Sequence, residues 1–276
     1  GYLQPMGDVG QIMAVQANVR YPASLAAACD GATAVVNLTG VLSSRGAQSF
    51  DAIHVFGAEA SARAAKAAKA QVFIQMSALG ADADSGSEYG RTKAAGEAKA
   101  RAAFPGAIIL RPSIVFGPED RFFNRFAGMT RLGPVLPVVG GNTRFQPVHV
   151  GDVAAAAVKA LTGQAEPGIY ELGGPEVATF RKLMHEMLGV INRRRLVLSL
   201  PFFVARIMAS ALDALQAVTL GLVHNGTLTR DQLRSLAVDS VVRIEVAAHV
   251  AREHEPAHGG EHRTQRRHLV ADLPRL

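Results

Sequence analysis

The chain has 276 residues, 49% of them apolar, enough for a sizeable core and too many for a globally disordered protein. A single cysteine, Cys29, excludes an internal disulfide framework and fits a reducing compartment; it reads as a small core residue. The formal charge of +6 calls for an acidic partner (phosphate groups, anionic lipid or an acidic protein face), and 6% aromatics with no Trp and no stacking motif argue against nucleic acid.

The opening GYLQPMGDVG has no initiator Met and neither the basic region nor the apolar run of a signal peptide. Residues 11–19 (QIMAVQANV) predict a strand and 21–31 (YPASLAAACDG) a short helix. Residues 32–41 (ATAVVNLTGV) predict the next strand, 58–70 (AEASARAAKAAKA) a longer helix, and 71–79 (QVFIQMSAL) a third strand. The helix that follows carries Tyr89 and Lys93, and 106–117 (GAIILRPSIVFG) reads as a fourth strand. Strands apolar almost throughout and separated by helices indicate a parallel sheet covered on both faces, an α/β doubly wound architecture.

From Pro118 the texture changes to Gly/Pro turns between short apolar runs, as an inserted lobe would read. Within it, 151–161 (GDVAAAAVKAL) predicts a helix with Asp152 in its first turn, where a carboxylate complements the dipole. Residues 168–174 (GIYELGG) can return as a strand, and Thr179 is an N-cap candidate for an amphipathic helix. The stretch 196–205 (LVLSLPFFVA) is far short of the roughly 20 residues that a spanning helix needs. After Val242 the chain turns rich in His and Arg, with His249, His254, His258, His262 and His268 in one segment. With no cysteine and no helix-pair spacing to hold tetrahedral ligands, this reads as a flexible or frame-altered tail and no metal site is expected.

The chemistry centres on SEYGRTKAAGE, residues 87–97. Residues four apart share a helix face, so Tyr89 and Lys93 lie side by side. An ammonium beside a phenol stabilises phenolate, so the pair is expected to draw the tyrosine pKa down from about 10 toward neutrality and make it a general acid/base. Ser77, ending the preceding strand, can place its hydroxyl in the same crevice, since ligands of such sheets bind at the carboxyl ends of strands. The competing reading of a Tyr-x-x-x-Lys pair is a plain surface helix pair.

NLTGV, SALGADADSGSEYGRTKAAGE, AIILRPSIVFGPEDRFFNRFA and RFQPVHVGDVAAA, in this order, resemble the extended, atypical short-chain dehydrogenase/reductase superfamily. More narrowly, residues 89–134 and LTRDQL at 228–233 resemble the NAD(P)H-binding accessory subunit of respiratory complex I and its bacterial relatives, over about residues 1–242. The resemblance implies Ser77, Tyr89 and Lys93 as the catalytic-type trio. It puts Asn18 and Val19 at the adenine, Leu38, Thr39 and Gly40 beneath the adenosine ribose, and Arg111, Pro112 and Ser113 near the nicotinamide. His149 and Asp152 match a landmark of the family but read as a strand end and a helix start; Arg144 can meet an anionic ligand or form a surface salt bridge. NADP(H) is implied over NAD(H).

Two departures stand out. The family opens with a strand and a Gly-x-x-Gly-x-x-Gly turn whose amides hold the pyrophosphate; GDVGQ has the wrong spacing, so dinucleotide affinity is expected to be weak. The tail after Val242 does not resemble the family's ending. The expected organisation is a Rossmann-like dinucleotide-binding domain, incomplete at the N-terminus, over residues 1–117. A small α/β substrate or docking lobe, interleaved with the last sheet strands, follows over 118–242, and the tail over 243–276. The expected role is an accessory or assembly protein of respiratory NADH:quinone oxidoreductase with a structural dinucleotide. Its partners would be complex I subunits or the membrane surface, and it would be cytoplasmic or peripheral on the inner face of the energy-transducing membrane (the matrix side in a mitochondrion). The alternative is an NAD(P)-dependent oxidoreductase or sugar-nucleotide epimerase/dehydratase, with a small-molecule substrate and the Ser-Tyr-Lys trio at work. A dinucleotide-sensing regulator is a third reading on the same fold.

Overall fold

The computed structural model describes residues 6–207, 210 and 229–242; the expected tail lies outside the described residues. The centre is a parallel sheet in the order β1 (Ala34–Asn37), β2 (Val72–Met76), β3 (Ile108–Pro112) and β8 (Gly168–Leu172). Helix α1 (Pro22–Cys29) starts with a proline, whose missing N–H and fixed φ suit the first helical position. Helices α2 (Gly57–Ala67) and α3 (Glu88–Ala103) cover one face of the sheet, where Ala58, Ala62, Ala65 and Ala100 meet Phe73 and Ile109. On the opposite face α5 (Val150–Leu161) lays Val153 and Ala160 on Ile74, Ile108, Leu110 and Leu172. Adjacent residues such as Phe73 and Ile74 thus face opposite layers, each fully buried, which is why these strands read as unbroken apolar runs.

Two sequence expectations need correction and a third is extended. Residues 11–19 form no strand; Met13 and Val15 are exposed, and no described strand offers them a ladder. An extended apolar run becomes a strand only when a neighbour takes its N–H and C=O groups. The run 106–117 is not one strand. It divides after Pro112, and β4 (Val115–Phe116) leaves the sheet to pair in parallel with β7 (Val148–His149). The helix expected at 58–70 has an additional π-helical segment ahead of it, Asp51–Phe56, which runs into α2 without a break.

Away from the sheet, α4 (Phe123–Met129) and α6 (Phe180–Val190) pack around an aromatic cluster of Phe122, Phe126, Phe145 and Phe180. Thr179 caps α6 by accepting the Lys182 N–H. Beside it, β5 (Val135–Val139) pairs in parallel with β10 (Leu196–Leu200), and β6 (Arg144–Phe145) pairs antiparallel with β9 (Ala178–Thr179). Residues 229–242 carry α7 (Arg230–Ser235), opened by a capping box between Thr229 and Gln232. Among the described residues no helix is long and apolar enough to cross a membrane, and no group of His, Cys, Asp or Glu could hold a metal ion.

Candidate functional site

The carboxyl ends of β1 and β2 and the first turns of α3 meet at one place. After β1 the chain is shaped by the buried Asn37, whose amide donates to Gln75 Oε1 (2.9 Å) and whose oxygen accepts from the Thr39 amide and hydroxyl. This turns Leu38, Thr39 and Gly40 outward at the strand end, and Leu38 is 66% exposed. A Cβ built on Gly40 would sit 3.3 Å from Lys93 Nζ, so the glycine leaves space directly over the ammonium.

Lys93 is buried, and its Nζ donates to the carbonyl of Met76 (3.3 Å), the last residue of β2 and the neighbour of Ser77. It lies 5.9 Å from the centroid of the Tyr89 ring. Ser87 caps α3 through its hydroxyl, accepting the Gly90 N–H, and so sets the start of the turn that presents both residues. The structure therefore brings Lys93, Tyr89, Gly40 and the Met76–Ser77 strand end together.

The expected drop in the Tyr89 pKa is not what this environment produces. Burial pushes the phenol up to about 12. Lys93 also loses hydration: burial pulls its ammonium down to about 8, against the opposing effect of Glu97. Desolvation, which disfavours the charged form of each group, is the leading cause at both. At pH 7 the pair is a neutral phenol beside an ammonium.

Ser77 does not end in open space. Its hydroxyl donates to Glu97 Oε1, and Glu97 in turn accepts a two-pronged contact from Arg111, Nε to Oε1 at 2.9 Å and Nη2 to Oε2 at 2.6 Å. Glu171, register partner of Arg111 on β8, approaches the same guanidinium at 3.5 Å. Glu97 was not singled out in the sequence, although it extends the Tyr89, Lys93 series by one more step of four along the same helix.

His54, on the π-helical segment, was also missed and carries no local sequence signal. The residue is 3% exposed, and its ring meets the Tyr89 ring edge-on at 5.3 Å and stacks on Phe50 at 5.3 Å, Phe50 itself touching Tyr89 at 6.0 Å. The Val41 amide donates to Nε2 (3.2 Å), which places the ring proton on Nδ1 facing Thr92 Oγ1 (3.1 Å). Thr92 passes its own proton to the carbonyl of Glu88 (2.8 Å), so a chain of hydrogen bonds ties the loop after β1 to α3. Burial, and secondarily the Lys93 charge, lowers the His54 pKa to about 4. As the folded value lies below the unfolded one, the unfolded chain takes up the proton first. Stability is full above pH 6.5 and is lost as pH falls toward 4, by up to about 3 kcal/mol. Imidazole NMR titration is expected to show His54 neutral down to about pH 4, and a midpoint above 6 would remove this contribution.

The other sequence candidates have these places in the fold. Asn18 accepts the Arg20 N–H and takes part in the turn into α1, and Val19 packs on Gly57 of α2, beside Leu25 and Cys29. Pro112 is buried at the end of β3, and the Ser113 hydroxyl donates to the carbonyl of Ser240 (3.2 Å). His149 caps α5 by accepting the Gly151 N–H, with Asp152 in that helix's first turn, and Arg144 forms a surface ion pair with Asp239 (2.8 Å).

Residues 7–173 match the NAD dependent epimerase/dehydratase family. The chain is 35% identical over 246 residues to NADH dehydrogenase [ubiquinone] 1 alpha subcomplex subunit 9, mitochondrial, of Arabidopsis thaliana, covering 87% of this chain and 61% of that one. It is 32% identical over 193 residues to the ceramide reductase of Caulobacter vibrioides, covering 69% and 60%. The chain thus spans about three-fifths of the length of these curated relatives. Among solved structures, the dTDP-glucose 4,6-dehydratase DesIV (a double mutant) of Streptomyces venezuelae with NAD bound superposes with a TM-score of 0.62 at 23% identity, over 72% of this chain and 70% of that one.

Proposed function

Because the chain belongs to the NAD dependent epimerase/dehydratase family and has its NAD(P)-binding, Rossmann-like fold, we propose that it is a dinucleotide-holding accessory or assembly protein of respiratory NADH:quinone oxidoreductase. The observation that carries this reading is the state of the trio. The Ser77 proton is committed to Glu97, and burial keeps the Tyr89 phenol protonated, an arrangement suited to holding a ligand and poorly suited to turning one over. A dinucleotide bound here would supply a nicotinamide and phosphates. Lys93 would meet its ribose hydroxyls from beneath the Gly40 loop, and Leu38 and Thr39 would flank it. The described residues ahead of β1 contain no strand followed by a Gly-rich turn of the kind whose amides hold a pyrophosphate, and weak binding is what we expect of these 276 residues. NADPH is the form we expect to bind better.

The partner class follows from the A. thaliana relative, and the surface supports peripheral docking. Leu132 and Leu196 are 88% and 65% exposed where α4 ends and β10 begins, beside the exposed Arg131 and Arg194. Apolar side chains flanked by arginines suit an anionic lipid surface on the inner face of an energy-transducing membrane.

Titration calorimetry with NADPH and NADH tests the nucleotide. Weak binding that declines as pH rises through about 8 is expected, because the ammonium that would contact the ligand, flanked by Tyr89, His54 and Glu97, loses its proton there. Lys93→Met is expected to abolish that decline together with most of the affinity. The second reading, an NAD(P)-dependent oxidoreductase or epimerase, is favoured by the complete Ser77, Tyr89, Lys93 set and by the C. vibrioides relative. Steady NADPH oxidation with a carbonyl substrate that is lost in Tyr89→Phe would establish it and end the non-catalytic reading.

A further inference from the structure

We propose that Asp231 is a positioning residue for the Tyr89–Lys93 face of α3, acting by closing the N-terminus of that helix with a carboxylate from the far end of the chain. Oδ1 accepts the Glu88 amide at 2.6 Å; Oδ2 accepts the Tyr89 amide at 3.1 Å and the Ser87 hydroxyl at 3.0 Å. Ser235, one turn further along α7, donates to the Ser87 hydroxyl at 3.0 Å. Ser87 alone satisfies only the Gly90 amide, so the first two amides of α3 depend on Asp231. Asp231 also lies in the first turn of α7, and a single carboxylate therefore faces the positive ends of two helices.

The approach of Asp231 is fixed by the segment around it. The Leu236 carbonyl accepts from Thr143 Oγ1 (2.6 Å), Asp239 pairs with Arg144, and the Ser240 carbonyl accepts from the Gln146 amide and from Ser113. Residues 229–242 thus form a strap anchored on Ser113, Thr143, Arg144 and Gln146 that reaches across to the start of α3. Leu233 is buried against Val139 and Ala205, so the anchor has an apolar component as well. Tyr89 is the second residue of α3. Its backbone is held by Asp231, while its ring is held from the other side by His54 and Phe50 and by the nearby Lys93. Loosening the strap would let the first turn fray and tilt the phenol and the ammonium out of register with the Gly40 loop. The part of this inference that concerns dinucleotide rests on the function proposed above; the part that concerns the geometry of α3 does not.

The test compares the full chain with Asp231→Asn, which keeps the shape and removes the charge and one acceptor. Hydrogen exchange at the Glu88 and Tyr89 amides is expected to quicken about tenfold, with exchange in β2 and α5 unchanged. The Tyr89 phenol, identified against Tyr89→Phe in an ultraviolet titration, is expected to titrate nearer 10 than in the parent chain. The NADPH Kd is expected to rise about five- to tenfold. Unchanged exchange at Glu88 and Tyr89, or a loss of protection spread evenly over the chain, overturns the proposal. If the parent chain binds no NADPH at all, the nucleotide reading fails, and the exchange and phenol titrations still decide the positioning role. Should Asp231→Asn not fold, Ser235→Ala, which deletes only the hydroxyl that reaches Ser87, carries the same comparison in milder form.

Discussion

Replacing Glu97 with alanine is expected to destabilise the full chain by about 3–5 kcal/mol, the usual cost of leaving one member of a buried ion pair behind. The Glu97 side chain is 5% exposed and that of Arg111 19%. Without the carboxylate, Arg111 keeps, among the described residues, the longer contact to Glu171, and the Ser77 hydroxyl loses the Glu97 oxygen it donates to. Thermal unfolding should drop by roughly 10 °C for a domain of this size. Glu97→Gln, which retains one acceptor oxygen, should lose less than half as much. A double-mutant cycle with Arg111→Met should return a coupling of about 1–3 kcal/mol. A cost below about 1 kcal/mol for Glu97→Ala would mean that the pair behaves as an exposed one.

Gly96→Ala is the second large effect, and its sign is informative. Alanine in place of glycine inside a helix ordinarily stabilises by about 1 kcal/mol. Here an added Cβ would run into the backbone carbonyl oxygen of His54 and come within 3.0 Å of its carbon. Backbone cannot swing aside as a side-chain tip can, so overpacking of about 3 kcal/mol should outweigh the helical gain. Gly189, on α6, is the control: nothing lies within 4 Å of its added Cβ, and Gly189→Ala should stabilise by about 0.5–1 kcal/mol. Urea unfolding of the two variants should give shifts of opposite sign. If both stabilise, α3 does not press on the π-helical segment as closely as described.

Much of the fold was legible because it lies in short apolar runs and Ala-rich helices whose partners the pattern itself implies. β1, β2, β3 and β8, with α1, α3, α5 and α6, fall where those runs are. Residues 11–19 have the same texture but no ladder to join, and a run of side chains says nothing about an absent neighbour. The division of β3 from β4 falls at Pro112, which has no N–H to offer a ladder, a signal present in the sequence and outweighed there by the apolar residues on both sides. At the site, the spacing of Tyr89 and Lys93 put the two on one face correctly. It could not weigh their loss of hydration, which turned the expected acidic phenol into one held near 12. Glu97 was readable one step further along that face. His54 was not, because its approach to Tyr89 depends on how the π-helical segment crosses α3. Asp231 stood in a quoted motif whose capping box was readable, but its contact with α3 bridges 144 residues of sequence and left no local trace.

That span has a temporal side. A ribosome adding about 5–20 residues per second delivers Asp231 roughly seven to thirty seconds after Ser87. Through that interval the helix bearing Tyr89 must wait with its leading amides open to solvent, although β1, β2 and β3 are already available to pair. Residues from 113 to 167 must likewise be looped out before β8 can dock on β3, so the sheet closes around a lobe that is made in the middle of it. Maturation of the crevice is therefore a late event in the life of the nascent chain, and a chain that stopped short of residue 231 would leave the first amides of α3 without their carboxylate.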